Sequence, residues 1–135
     1  MKILHNGDLV KARIHVDVHD GWQIGALSDS QKNNCECQMA FRVHLPDSLA
    51  SNYEIVSLRE TGKVTTVFDS DFLELRSYHT EPFDVIATLK ARRKVKTLAD
   101  FRLFAGYQAV NMIRKQCLPP SWYEVSLKKP DIVAN

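Results

Sequence analysis

The clearest pattern along the chain is a strict alternation over residues 9–19. Val10, Ala12, Ile14, Val16 and Val18 interleave there with Lys11, Arg13, His15, Asp17 and His19. A period of two with β-branched residues on one phase predicts a half-buried strand. Asp20-Gly21 reads as a turn, because glycine takes the positive φ that such turns need. A second strand is expected over 22–27, and the polar stretch 28–34 reads as a loop.

Alternation returns over 38–45, with Met39, Phe41, Val43 and Leu45 on one phase. Pro46 ends it, since proline cannot donate to a ladder, and a loop follows to about residue 52. Strands are expected over 53–59 and 64–68 around a Glu60-Thr61-Gly62-Lys63 turn, with a last short one over 73–77. Asp69-Ser70-Asp71 is suited to cap one helical turn. Five or six short strands at spacings of about ten residues predict a mainly β fold, a small, strongly bent SH3-like antiparallel barrel.

Beyond Tyr78 the pattern changes. One more strand is expected over 83–89, and a basic run follows. Thr97 and Asp100 look like the start of a helix. Leu98, Phe101, Ala105, Ala109, Met112 and Ile113 share one face at helical spacing, so a helix is expected to about residue 116. Pro119-Pro120 ends it. Residues 121–125 are aromatic-rich and expected to pack back onto the body, and 128–135 reads as a loose tail. The expected organisation is a barrel over 1–80 and a basic strand and helix extension over 81–135.

Composition agrees with an ordinary globular domain: 135 residues, 44% hydrophobic and 25% charged. The longest charge-free apolar stretch, 103–113, is too short to span a membrane, and no signal peptide is recognisable at the start. A soluble intracellular domain without a membrane partner is therefore expected. Charge is divided unevenly. Residues 1–80 hold 8 Lys/Arg against 11 Asp/Glu, while 81–135 hold 10 against 5. An acidic front favours cationic partners by steering, and a basic rear favours anionic ones. The three cysteines, an odd number, argue for reduced thiols.

Four segments taken in order carry a family resemblance: residues 7–12 (GDLVKA), 20–27 (DGWQIGAL), 41–48 (FRVHLPDS) and 64–76 (VTTVFDSDFLELR). Over residues 6–78 the chain resembles the Tudor-like domains of the Royal superfamily, agenet modules included. The resemblance implies a chromatin-type reader in the nucleus that binds a histone tail or another basic, methylated peptide. Such modules hold the methylated cation in a cage of aromatic rings with an acidic residue. Ring faces attract a cation whose hydration methylation has weakened. Carried over, Trp22 matches the second-strand aromatic and Asp47 the acidic turn. Leu45 departs from the pattern, standing where many relatives have an aromatic, so Tyr53, Phe68 or Phe72 would complete the cage.

Cys35-Glu36-Cys37 sits where the plant SAWADEE type of Tudor-like domain carries a C-x-C. Thiolates and imidazoles suit tetrahedral zinc, and His15, His19 and His44 are the candidate partners. Two cysteines do not make a site, so two thiols without metal remain the default and no cofactor is expected. Residues 90–96 (KARRKVK) hold five basic residues in seven. Arg92, Arg93, Lys94 and Lys96 suit nucleic-acid phosphates or a nuclear-import patch, and a solvated connector is the plainer alternative. A nucleic-acid-binding barrel is thus the second functional expectation. A scaffold docking a protein partner through its C-terminal helix is the third.

Catalytic signatures are missing. No phosphate-binding glycine loop, dinucleotide fingerprint, H-E-x-x-H or Gly-flanked nucleophile occurs. Imidazole in general suits acid–base chemistry, which makes His5, His15, His19, His44 and His79 the candidates, but His15 and His19 share the polar phase of the first strand. The expectation is a non-enzyme.

Overall fold

A computed structural model describes residues 1–6, 8–28, 39–70, 73–92, 101–126 and 131–134. Among these described residues, thirteen strands follow in chain order. They are β1 (Lys2–Asn6), β2 (Leu9–Val18), β3 (Trp22–Gly25), β4 (Arg42–His44), β5 (Tyr53–Glu60), β6 (Thr65–Asp69) and β7 (Glu74–His79). After them come β8 (Phe83–Ala91), β9 (Arg102–Tyr107), β10 (Ala109–Asn111), β11 (Gln116–Cys117), β12 (Ser121–Ser126) and β13 (Asp131–Ala134). One helical turn, α1 (Asp47–Ala50), follows Pro46. No helix among the described residues is long and apolar enough to cross a membrane.

The fold is mainly β, as the alternation implies, but among the described residues the strands form three open sheets and no closed barrel. The first sheet runs β1-β2-β8-β5. The outer edge of β2 is shared: β1 pairs antiparallel with its first half and β13 pairs parallel with its second. The second sheet runs β11-β10-β3-β7-β6, and the third β12-β9-β4. Closure would need the two edge strands of one sheet to meet. Here β1 with β13 and β5 bound the first sheet without pairing to each other. Strands from either side of residue 80 enter all three sheets.

The expected C-terminal helix is corrected as well: residues 102–117 form β9, β10 and β11. Phe101, Leu103 and Ala105 are buried in alternation with Arg102 and Phe104, which is strand periodicity. Met112 and Ile113, assigned to the helix face, are exposed in the β10–β11 turn. There the Asn111 Oδ1 accepts from the backbone N–H groups of Ile113 and Arg114 at 3.1 and 3.0 Å. That side chain substitutes for backbone partners and fixes the turn. Among the described residues, the segment expected to dock a partner as a helix is therefore strand and turn.

The core lies between the first and third sheets. Every alternate residue of β2 from Val10 to Val18 is buried. β8 contributes Val85, Ala87 and Leu89, and the third sheet adds Val43, Leu103, Ala105 and Val125. Edge-to-face ring pairs fill the ends: Phe41 on Phe83 at 5.7 Å and Tyr53 on Phe101 at 5.4 Å. Gly21 and Gly62, both at φ 85°, make the two turns expected from their sequence.

Candidate functional site

The third sheet buries one face and turns the other outward. In register across it stand Arg42, Gly106 and Trp122 in one row, and His44, Phe104 and Glu124 in the next. Gly106 explains how Trp122 sits. A Cβ added at that glycine would lie 2.8 Å from the indole Cη2 and Cζ3, well inside van der Waals contact. The indole thus rests on bare strand backbone, as aromatics do over strand glycines. It leans toward His44, whose ring centroid is 4.9 Å away at an interplanar angle of 39°.

The chain leaves β4 through Leu45 and Pro46 into α1, which brings Asp47 to the rim. Arg102 Nη2 donates to Ser48 Oγ at 3.2 Å, tying α1 to β9, and its Nε lies 4.0 Å from Glu124. The result is an open groove of ≈ 380 Å³ lined by His44, Leu45, Pro46, Asp47, Phe104 and Trp122. Trp122 keeps 50% of its surface exposed. Three rings and one carboxylate face a space large enough for a side chain. Such a lining attracts organic cations through ring faces and charge together.

Of the residues expected to form a cage, only Asp47 lines this groove. Trp22 lies on β3 in the second sheet, half-buried against the core. Tyr53 is a core residue stacked edge-on to Phe101, and burial raises its phenol pKa. Phe68 is 60% exposed on β6, in the second sheet. Phe72 lies outside the described residues. So do Arg93, Lys94 and Lys96, whereas Arg92 is exposed, with its backbone N–H bonded to Asn52 O at 2.7 Å. Cys35 and Cys37, the zinc candidates, are likewise outside. Among the described residues no cluster of three or more His, Cys, Asp or Glu is placed to hold a metal ion. Cys117, expected as a thiol, is disulfide-bonded. An odd cysteine count does not forbid a bridge.

Sequence reasoning does not place Trp122, Phe104 or His44 in a peptide groove: His44 stands there as a candidate zinc partner, Trp122 only in an aromatic segment packing back onto the body, and Phe104 is not singled out. A signal existed in Gly106: an isolated glycine within an alternating segment marks close approach by another group.

A second cluster lies on the outer face of the first sheet. Asp84 accepts from Arg13 Nε at 2.5 Å, and its other oxygen lies 2.7 Å from His15 Nδ1. Burial opposes ionisation of Asp84, but the His15 and Arg13 hydrogen bonds and the charges of both outweigh it, holding its pKa low. A depressed carboxyl pKa adds stability above the ordinary carboxylate range, near pH 4, and that stability is lost as pH falls through the folded value. Asp84→Asn is therefore expected to lower the urea midpoint at pH 7 and to match the unmodified protein near pH 2. An equal deficit at both pH values would refute the ionic origin.

No family model, no curated protein and no solved structure matches the chain.

Proposed function

We propose that the chain is a peptide-reading module of Tudor-like type, not an enzyme, which takes a basic, methylated side chain of a histone-like peptide in the Trp122 groove. The observation that carries the reading is the convergence of Trp122, His44 and Phe104 with the Asp47 carboxylate on one open groove. Methylation enlarges and dehydrates an ammonium or guanidinium group. Rings then hold it better than water does, and a single carboxylate supplies the counter-charge. A nuclear chromatin partner follows from this ligand class. Relative to the family pattern, the second-strand tryptophan is replaced in its role by one from the far end of the chain.

Calorimetric titration with one histone-tail peptide in unmodified and trimethyl-lysine forms tests it. Binding of the methylated form below about 1 mM is expected, at least fivefold tighter than the unmodified form, in keeping with about 1 kcal/mol from ring–cation contact. Indifference to methylation, or binding unchanged in Asp47→Asn, would sink the reading. A second reading, phosphate contact through residues 90–96, is favoured by the exposed Lys90 and Arg92. It predicts a mobility shift on single-stranded RNA that weakens steeply with salt.

A further inference from the structure

The outer face of the first sheet carries a feature that peptide reading does not use. Across β1, β2, β8 and β5, the residues Lys2, Arg13, Ile86 and Arg59 stand in one register row. The adjacent row holds Leu4, Lys11, Thr88 and Ser57. Strands about 4.8 Å apart put the first row across roughly 14 Å, and the two rows are about 7 Å apart along the strands. Lys2, Lys11, Arg13 and Arg59 line one groove of ≈ 230 Å³, with Ile86 and Leu4 also in its lining.

Ile86 points outward on the sheet yet is only 6% exposed. The long cationic side chains on either side of it in the row, Arg13 and Arg59, account for that cover. Arg13 is held by Asp84. Lys2, Lys11 and Arg59 have no acidic partner among the described residues. Three cations without an acidic partner among the described residues, bordering one small concavity, repel one another and gain from a shared multivalent anion.

Acids border the patch on both sides along the strands. Asp84 occupies the row beyond Arg13, and Glu54 faces Lys90 in the row beyond Lys11. A polynucleotide laid along the strands would meet one of these carboxylates, and no aromatic ring stands in either row for a base to stack on. The charge pattern fits a compact ligand better than an extended one.

We propose that this groove binds a compact polyphosphorylated group, such as a phosphorylated cyclitol, free or as a lipid headgroup. Lys2, Lys11 and Arg59 supply the direct phosphate contacts, with Arg59 able to donate a two-pronged hydrogen bond. Arg13 keeps its place through Asp84. Leu4 is 65% exposed beside Lys11 and offers an apolar contact that only a lipid surface would use.

The test titrates the full chain at 0.1 M salt with inositol hexakisphosphate, and separately with vesicles carrying a polyphosphoinositide. One-to-one saturable binding is expected. Arg59→Gln and Lys11→Gln should each weaken it about tenfold, the loss expected for a charged hydrogen bond. The exposed turn variant Lys115→Gln should leave it unchanged. Unaltered melting temperatures in all three confirm that they are folded. Binding to the soluble probe that also survives Leu4→Ser on vesicles assigns the free ligand. Vesicle binding lost in Leu4→Ser, with weak soluble binding, assigns the lipid headgroup. No saturable binding of either probe would overturn the proposal. So would equal affinity in Arg59→Gln, or a single-stranded RNA oligomer that binds through Arg59 and that inositol hexakisphosphate fails to displace.

Discussion

Glu60→Ala is expected to destabilise the protein by about 3 kcal/mol, a melting shift of roughly 10 °C for a chain of this size. The reason lies in His79, which is fully buried with its ring stacked parallel on Phe83 at 3.7 Å. Its Nε2 lies 3.0 Å from Glu60 Oε1. Its Nδ1 has no partner among the described residues. Glu60 is therefore the one described side chain that satisfies this imidazole, and an ionised carboxylate makes Nε2 the protonated nitrogen. The other Glu60 oxygen accepts the Ser28 backbone N–H at 3.1 Å. Truncation to alanine orphans two donors, one of them wholly buried, and each orphan costs about 1–3 kcal/mol. Glu60→Gln keeps an acceptor oxygen in place and should cost about 1 kcal/mol. Urea denaturation of the two variants measures the difference. Equal losses would mean that Glu60 contributes packing and not hydrogen bonds.

This pair also shows where sequence reading stopped. His79 was visible only as an imidazole, and Glu60 only as the first residue of a turn. Their meeting depends on the β5–β8 pairing and on the β7 register, neither of which is local. What was legible was local. The β2 alternation predicted its buried face residue by residue, because one strand flank of a core imposes period two on its own. The Gly21 and Gly62 turns were legible because φ 85° demands glycine.

The helix expectation failed for a physical reason. Phe101, Ala105, Ala109 and Met112 satisfy helical spacing, yet Phe101, Leu103 and Ala105 satisfy strand spacing equally well. Only β4 and β12, arriving on either side of β9, decide between the two. The same pairing builds the groove. Asp47 was anticipated only through the Tudor-like resemblance, which implies an acidic turn there, whereas Trp122 was not. It reaches the site by pairing across to Gly106, which in turn pairs with Arg42 some 64 positions away in the chain.

Gly106→Ala is expected to abolish methyl-peptide binding, by at least thirtyfold, while changing stability by less than about 1 kcal/mol. Its added Cβ would lie 2.8 Å from the Trp122 ring, and the backbone beneath cannot yield because β9 is paired on both edges. The half-exposed indole swings outward instead, losing its place beside His44 and opening the wall of the groove. Alanine is the better strand residue by roughly 0.5–1 kcal/mol, which offsets the lost ring contact. Trp122→Ala should give the same binding loss. Trp22→Ala should do the reverse: it removes a ring packed against the core, costing about 2–3 kcal/mol of stability, and leaves peptide affinity within twofold. Calorimetry on the three variants, each with a urea midpoint, separates the two tryptophans. Retained binding in Gly106→Ala together with a stability loss above 2 kcal/mol would reduce Trp122 to a cover for the strand.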